Sequence, residues 1–314
     1  MEIQPASLSV TRLRAIGSFI LLVLFSSAST LIYTYSIDET TGYVYNTASS
    51  QVSVEVIKFT ISLLGEYNDH SSSSSSRQKF LPHLASSISS SLTPNVFLLI
   101  LFLSFSYLVS NYLLFEIMRI TPAGTFSLFK SFTPCVVSLL SFFLLRSPLP
   151  PSRLLTILIM LLALTLTTTP ETSSPQSLLL LTFQLTLSSL NMVLNGHLLS
   201  PSTTPLTIPK INLLMYSLGS LLNYVLYLLR PSPLPFFHSY SSPSLLIYLL
   251  TKSFTGLISN YVFKYNGPIV KSLSSPVVSA VCIGVERLGG GGGGRIELQA
   301  GGIVILTACL YIIL

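Results

Sequence analysis

The sequence predicts an all-α membrane protein with about ten transmembrane helices arranged as two inverted five-helix repeats. Half of the 314 residues are hydrophobic and only 8% are charged, whereas about a quarter of the residues of an average soluble domain are charged. The mean hydropathy is correspondingly high, at +0.71. The apolar residues form runs of roughly 20, the length that crosses a bilayer. Two similar short motifs, five runs apart, indicate the repeat.

Charges or clusters of proline and serine separate the apolar runs. They are predicted to be helices, because lipid satisfies no backbone hydrogen bonds and the alternation of a barrel strand is missing. The predicted spans are 15–36, 48–66, 95–118, 122–146, 152–169, 177–199, 211–229, 244–263, 267–288 and 298–314. The first follows Arg12 and Arg14 and is long enough to be a retained helix rather than a signal peptide. Residues 1–314 thus form one domain of two halves, roughly 15–146 and 152–314, with the repeat boundary near residue 170 because 152–169 is the fifth helix of the first half.

The distribution of basic residues predicts that both termini face the cytosol, since cytosolic loops are enriched in lysine and arginine. With this orientation the cytosolic side receives Arg12, Arg14, Arg77, Lys79, Arg146, Arg153, Lys210 and Lys264. The opposite side receives Arg119, Arg230, Arg287 and Arg295.

Several function classes are disfavoured by the sequence. The net charge of +6 comes from scattered basic residues, so no nucleic-acid surface is predicted. The three cysteines and four histidines show no ligand spacing, so we expect no metal, cofactor or disulfide framework. The ten acidic residues are dispersed, and a membrane enzyme would need them clustered at one face. We therefore expect a protein that is not an enzyme.

The repeated motif lies in the fourth and ninth predicted spans. Residues 130–138 have the sequence KSFTPCVVS, and residues 271–279 have KSLSSPVVS. One span earlier in each half, residues 110–112 and 259–261 both have the sequence SNY. With five spans per half, the second copy enters the membrane from the opposite side. Inverted repeats of this kind are typical of secondary transporters that bind substrate near the midplane, between the halves.

Lys130 and Lys271 are the strongest candidates for a binding site. An ionised side chain in mid-membrane costs about 2.5–3.5 kcal/mol, and neither lysine has an acid three or four residues away. Hydroxyl residues and a proline follow each lysine, among them Ser131, Thr133 and Ser274. Two lysines facing each other across the repeat axis predict a site for an anion of about two charges. The alternative is a pair of structural lysines that extend to the membrane interface.

The other ionisable residues within spans have simpler interpretations. Glu55 and Lys58 are three residues apart and predict an ion pair on one helix face, either structural or involved in gating. Lys252 and Glu116 are interpreted as residues that extend from helix ends towards water.

At these positions the chain resembles the nucleotide-sugar transporters of the drug/metabolite transporter superfamily, in particular the UDP-galactose and CMP-sialic acid carriers. The resemblance covers most of the chain. Glu55-Val56-Ile57-Lys58 looks like the E-x-x-K of the second helix, and Phe129-Lys130 is similar to the L-K of the fourth. Lys264-Tyr265 followed by Ile269-Val270-Lys271 looks like K-Y-x-x-x-I-x-K.

The resemblance implies antiport across the Golgi or endoplasmic reticulum membrane, in which a nucleotide sugar enters the lumen and a nucleoside monophosphate leaves. It implies that Lys130 and Lys271 bind phosphate, with neutral hydrogen bonds from Ser131, Thr133 and Ser274. The remaining candidates for substrate contacts are Asn111, Tyr112, Asn260, Tyr261, Lys264 and Tyr265. The amides and tyrosines among them could equally bond one helix to another.

The chain departs from the family where the family contacts base and sugar. Gly267-Pro268 replaces an acidic-amide pair, Ser127-Leu128 replaces Tyr and Gln, and Asn195 replaces an acid. The resemblance therefore leaves open a carrier of another phosphorylated metabolite, such as a triose-phosphate translocator, and a non-transporting interaction protein. A small-residue face, Ala300, Gly301, Gly302 and Ala308, suits close helix packing or a homodimer.

Overall fold

The computed structural model describes residues 5–35, 37–38, 42–43, 45–73, 80–121, 126, 129–146, 151, 154–155, 157–159, 162, 175–200, 203–230, 234–290 and 304. Within these residues the chain forms eight helices and one short antiparallel pair of strands. The helices are α1 (Pro5–Tyr35), α2 (Thr47–Ser73), α3 (Phe80–Ser91), α4 (Pro94–Ile120), α5 (Thr133–Leu145), α6 (Pro175–Leu198), α7 (Ile208–Leu229) and α8 (Pro243–Gly290). The strands β1 (Ile37–Asp38) and β2 (Gly42–Tyr43) connect α1 to α2.

The general prediction of a helical membrane protein is confirmed. Five described segments are long and apolar enough to cross a bilayer: Arg14–Ile32, Pro94–Ile120, Pro175–Leu198, Ile208–Leu229 and Pro243–Cys282. A shorter apolar helix covers Phe129–Leu145. The ten-helix inverted repeat stays a prediction, since most of the fifth and tenth predicted spans and the small-residue face lie outside the described residues.

Local sequence explains where α4 begins and where α8 bends. α4 begins after Thr93, whose hydroxyl accepts a hydrogen bond from the Val96 amide, and Pro94 occupies the first turn, where no amide donor is needed. The predicted eighth and ninth spans, 244–263 and 267–288, lie on the two sides of a kink in α8 at Gly267, whose backbone is not helical (φ 80°, ψ 174°). Glycine adopts this positive φ readily, and Pro268 disfavours a helical conformation in the residue before it.

α3 is the one described helix that the sequence did not predict. It runs from Phe80 to Ser91 and contains five serines, so it lacks the long apolar run by which the membrane helices were recognised. Leu84 is its buried residue.

Some of the contacts between helices would correspond to each other if the two predicted halves were exchanged. α2 packs on α7. These are the second helices of the two predicted halves, so the exchange would turn this contact into itself. The contact of α4 with α7 corresponds to that of α8 with α2, and the contact of α5 with α6 corresponds to that of α8 with α1. This pattern is compatible with the predicted inverted repeat.

The outer surface of the bundle is apolar, and several helices contribute to it. Large exposed side chains include Leu24 on α1, Leu98 on α4, Phe143 on α5, Leu179 on α6 and Leu228 on α7. Such a surface is stable against lipid rather than water. The interior is correspondingly rich in buried polar side chains, among them Gln51, Gln184, Asn195 and Asn260.

Candidate functional site

Two neighbouring cavities of about 200 Å³ each lie between the helices. The first, here named the lysine cavity, has Lys130, Lys252 and Lys271 in its wall, together with Asn111, Thr133, Gln184 and Ser274. The second, named the amide cavity, is lined by Asn111, Asn195, Asn223 and Asn260, by the pair Glu55 and Lys58, and again by Lys252 and Lys271. The shared residues make the two cavities adjacent parts of one site.

Lys130 lies just ahead of a break in the helix at Phe132. Residues 129–131 are helical, and Phe132 stands at the N-terminal boundary of α5. The Phe132 amide bonds to the Phe129 carbonyl and the Cys135 amide to the Phe132 carbonyl, which is the tighter spacing of a 3₁₀ turn. The Lys130 Nζ lies 5.2 Å from the centre of the Phe126 ring. Lys130 therefore lies on the N-terminal side of α5; its predicted position eight residues inside the span 122–146 stays a prediction, because most of residues 122–128 lie outside the described part of the chain.

Lys271 lies just beyond the bend in α8. At Gly267 the axis turns, and Pro268 packs against Gly196 of α6 so closely that a Cβ on Gly196 would lie 2.9 Å from the proline Cδ. The absence of a side chain at position 196 thus permits this contact between α6 and α8. The bend and the contact fix the direction in which the next turn presents Lys271.

The hydroxyl residues next to these lysines bond to the backbone of their own helices. The Thr133 hydroxyl donates to the Lys130 carbonyl at 2.5 Å, and the Ser274 hydroxyl donates to the Lys271 carbonyl at 2.7 Å. Both residues line the lysine cavity, so each hydroxyl would have to rotate to donate to a ligand. Ser131 is 1% exposed and is not part of either cavity wall.

The lysine cavity is electrostatically positive. No aspartate or glutamate is among its described lining residues, and within the described part of the chain no carboxylate forms a salt bridge with Lys130, Lys252 or Lys271. The ammonium groups of Lys130 and Lys271 repel each other, as do those of Lys271 and Lys252. An anion entering the cavity would relieve this repulsion.

Asn260 is the centre of a hydrogen-bond network in the amide cavity. Its Oδ1 accepts from the Asn195 Nδ2 at 3.0 Å, and its Nδ2 donates to the Asn212 Oδ1 at 2.5 Å and to the Tyr216 hydroxyl at 3.0 Å. The network joins α6, α7 and α8. Of the residues predicted at this site, Asn260 thus serves helix packing in this conformation, while Asn111 lines both cavities.

Glu55 and Lys58 form the predicted ion pair. The Lys58 Nζ lies 2.5 Å from the Glu55 Oε1, both residues are 8% exposed, and the ammonium sits 4.5 Å from the centre of the Tyr216 ring. Two glycines make room for the pair. A Cβ on Gly219 would lie 3.2 Å from the Glu55 Oε2, and one on Gly256 would lie 2.9 Å from the Lys58 Cδ.

Four of the predicted substrate contacts lie away from both cavities. Tyr261 and Tyr265 are 42% and 40% exposed, and Lys264 is also exposed. The Tyr112 ring lies 4.9 Å from the Arg230 guanidinium, which in turn pairs with Glu116 at 2.9 Å. The contacts of Tyr112 and Glu116 with Arg230 join α4 to the end of α7 outside the two cavities. The interpretation of Glu116 as a helix-end residue fits this position.

Lys252 is the cavity residue that sequence reasoning missed. It was interpreted as a lysine extending from a helix end, and this was wrong, because it lies inside α8 and lines both cavities. Its position in the middle of the predicted 244–263 span was the available signal. Gln184, also in the lysine cavity wall, gave no signal in sequence, since a lone amide in a membrane helix usually bonds neighbouring helices.

Comparison with known proteins finds a transporter family that matches part of the chain. Residues 79–169 match the EamA-like transporter family. This segment contains α3, α4, α5 and Lys130. No curated protein matches the sequence. Among the solved structures that match, one crystal structure shares the fold over 96% of each chain, with a TM-score of 0.58 and 15% sequence identity.

Proposed function

We propose that the protein is a secondary transporter for phosphate-bearing organic anions, and specifically that it carries a nucleotide sugar into an organelle lumen in exchange for a nucleoside monophosphate. The observation that carries this proposal is the position of Lys130 and Lys271 in the wall of one cavity. These lysines come from the two copies of the repeated motif, 141 positions apart in sequence. The match of residues 79–169 to the EamA-like transporter family supports transport.

The charge of the cavity supports a phosphorylated substrate. Ammonium groups bind phosphate through short, charge-assisted hydrogen bonds. A neutral solute would leave the lysine charges uncompensated, whereas a phosphate neutralises them. The Thr133 and Ser274 hydroxyls lie in the same wall and supply additional donors on rotation.

The adjacent amide cavity supports a substrate with a large neutral part. Together the two cavities, of about 200 Å³ each, reach the lower part of the roughly 300–1,000 Å³ that ligand sites of drug-sized molecules occupy. Asn111 lies in both walls and is positioned to contact a ligand that extends from one to the other. A nucleoside or sugar joined to phosphate has this combination of a charged and a neutral part.

The same charges suggest why exchange would be obligatory. In the empty cavity, Lys130 and Lys271 repel each other, and rearrangement would carry this uncompensated charge through the membrane. A bound anion neutralises the charge, so that the two halves could change orientation. This mechanism rests on the predicted inverted repeat, with both termini in the cytosol of a Golgi or endoplasmic reticulum membrane.

A second candidate is a carrier of a smaller phosphorylated metabolite, such as a triose phosphate. The observation that favours it is the size of the lysine cavity, about 200 Å³, because a small phosphorylated metabolite needs this cavity alone. The departures at Gly267-Pro268 and Asn195 also fit a substrate without the usual base and sugar.

Transport into liposomes tests the proposal. Full-length protein is reconstituted into vesicles preloaded with UMP, CMP or GMP, and uptake of labelled nucleotide sugars is measured. We expect uptake that depends on one preloaded nucleotide and is lost in Lys130→Ala and Lys271→Ala. Lys210→Ala is the matched control, since Lys210 pairs with Glu66 and lines neither cavity. Uptake unchanged by both cavity substitutions would refute the site, and uptake independent of the preloaded nucleotide would refute exchange.

A second experiment tests the second candidate. Vesicles are preloaded with triose phosphate, and the uptake of labelled phosphate is measured.

A further inference from the structure

Lys252 connects the lysine cavity to the amide cavity. It lies on α8 between the start of the helix at Pro243 and the bend at Gly267. Together with Lys271 it belongs to the wall of both cavities, whereas Lys130 belongs to the lysine cavity alone. Its side chain is half-buried and lines both cavities, so its accessible part faces the space where the two cavities adjoin.

No internal partner among the described residues neutralises Lys252. The nearby charges of Lys130 and Lys58 repel it, and Glu55 is the acid that attracts it. The Glu55 carboxylate, however, is already bonded to Lys58 at 2.5 Å. A lysine held at this depth in a membrane protein needs a compensating charge or a role with a ligand.

We propose that Lys252 is a third anion-binding residue, and that the substrate carries two linked phosphoryl groups bound between Lys252 and the Lys130–Lys271 pair. This inference rests on the proposed transport of phosphorylated anions and deepens it. A single phosphoryl group placed between Lys130 and Lys271 leaves Lys252 uncompensated. A second phosphoryl group extends towards the amide cavity and brings anionic oxygens to Lys252.

The arrangement predicts that the three lysines contact different parts of the ligand. Lys130 and Lys271 bind any phosphorylated ligand, while Lys252 adds affinity only for ligands with a diphosphate. For an exchanger this means that Lys252 favours the diphosphate-linked substrate over the monophosphate that returns. The neutral part of such a substrate would then lie beside the amides of the second cavity.

Binding of inorganic pyrophosphate and inorganic phosphate to the purified full-length protein tests this inference. Dissociation constants are measured by calorimetry for the wild type, Lys252→Gln, Lys252→Arg and Lys130→Gln. Glutamine keeps most of the length of the side chain without its charge, and arginine keeps the charge. Circular dichroism and size-exclusion chromatography establish that each variant is folded.

We expect Lys252→Gln to lose affinity for pyrophosphate while keeping its affinity for phosphate. We expect the wild type to prefer pyrophosphate over phosphate, and Lys252→Gln to lose roughly ten- to hundredfold in pyrophosphate affinity, the effect of one hydrogen bond to a charged group. Its phosphate affinity should remain within about twofold of the wild type, and Lys252→Arg should retain the preference. Lys130→Gln should weaken the binding of both ligands.

Two other results would overturn the inference in distinguishable ways. Wild-type affinity of Lys252→Gln for pyrophosphate, with weak binding by Lys130→Gln, would refute the role of Lys252 and leave the proposed function standing. A wild-type protein that binds neither ligand would overturn both proposals.

Discussion

The protein contains two kinds of lysine in its membrane interior, and they differ in how their charge is balanced. Lys58 is paired with Glu55 at 2.5 Å and covered by Tyr216. Lys130, Lys252 and Lys271 have no salt bridge among the described residues and face a cavity. A charge that is neutralised internally contributes to structure, and one left uncompensated beside a cavity can bind a ligand. Stability measurements in the absence of ligand can therefore separate the two kinds.

The largest effect is expected from Glu55→Gln. The substitution keeps the shape of the side chain but leaves the Lys58 ammonium, 8% exposed, without a counter-charge. Loss of one member of a buried pair typically costs about 3–5 kcal/mol. We expect a decrease of this size in the free energy of unfolding, measured by denaturation in detergent and followed by circular dichroism.

A double variant controls for this result. Glu55→Gln combined with Lys58→Met removes both charges, and replacing a whole buried pair by uncharged residues is often neutral. Recovery of most of the lost stability is therefore expected. If the double variant is as unstable as the single one, the pair is not an electrostatic unit and the comparison of the two kinds of lysine loses its basis.

A smaller decrease is expected from Gly256→Ala. The new Cβ would lie 2.9 Å from the Lys58 Cδ, and the ion pair prevents the lysine from moving freely. Overpacking of this kind costs about 1–3 kcal/mol. Gly65→Ala is the matched control, because nothing lies within 4 Å of a Cβ built at Gly65, and alanine in place of glycine inside a helix is stabilising by about 0.5–1 kcal/mol. Equal changes at the two positions would show that Gly256 is not needed for space.

The sequence predicted long apolar helices well and the direction of individual side chains poorly. The third predicted span, 95–118, corresponds to α4 at Pro94–Ile120, and the sixth, 177–199, to α6 at Pro175–Leu198. These limits follow from the length of an apolar run, which depends on local sequence alone. The helix α3 has no such run, and it was missed.

The candidate site was predictable only in part, because a cavity depends on how helices pack. Lys130 and Lys271 were found through a repeated motif, and the structure places both in one wall. Lys252 belongs to no repeat, and its position between two cavities follows from the packing of α8. Lys264 and Tyr265 were assigned by resemblance to a motif, yet they face outwards, because the motif does not fix which face of α8 is turned to the interior.

An increase in stability is expected from Lys130→Gln in the absence of ligand. The substitution removes a cation that repels Lys271 and has no salt bridge among the described residues. A fully buried unpaired charge costs several kcal/mol; Lys130 is half-buried, so we expect its removal to raise the free energy of unfolding by about 1–2 kcal/mol. Denaturation in detergent, as for Glu55→Gln, measures it. A decrease as large as that of Glu55→Gln would mean that Lys130 also has an internal partner.

The smallest effect is expected from Glu116→Gln, the same chemical change as Glu55→Gln in a more exposed pair. Glu116 and its partner Arg230 are separated by 2.9 Å, but their side chains are 24% and 46% exposed, against 10% for each member of the Glu55–Lys58 pair. Water screens such a pair, so the expected cost is at most about 1 kcal/mol, and added salt should reduce it further. Unfolding in detergent at low and high ionic strength measures both effects. A loss at Glu116 equal to that at Glu55 would show that burial does not set the difference between them.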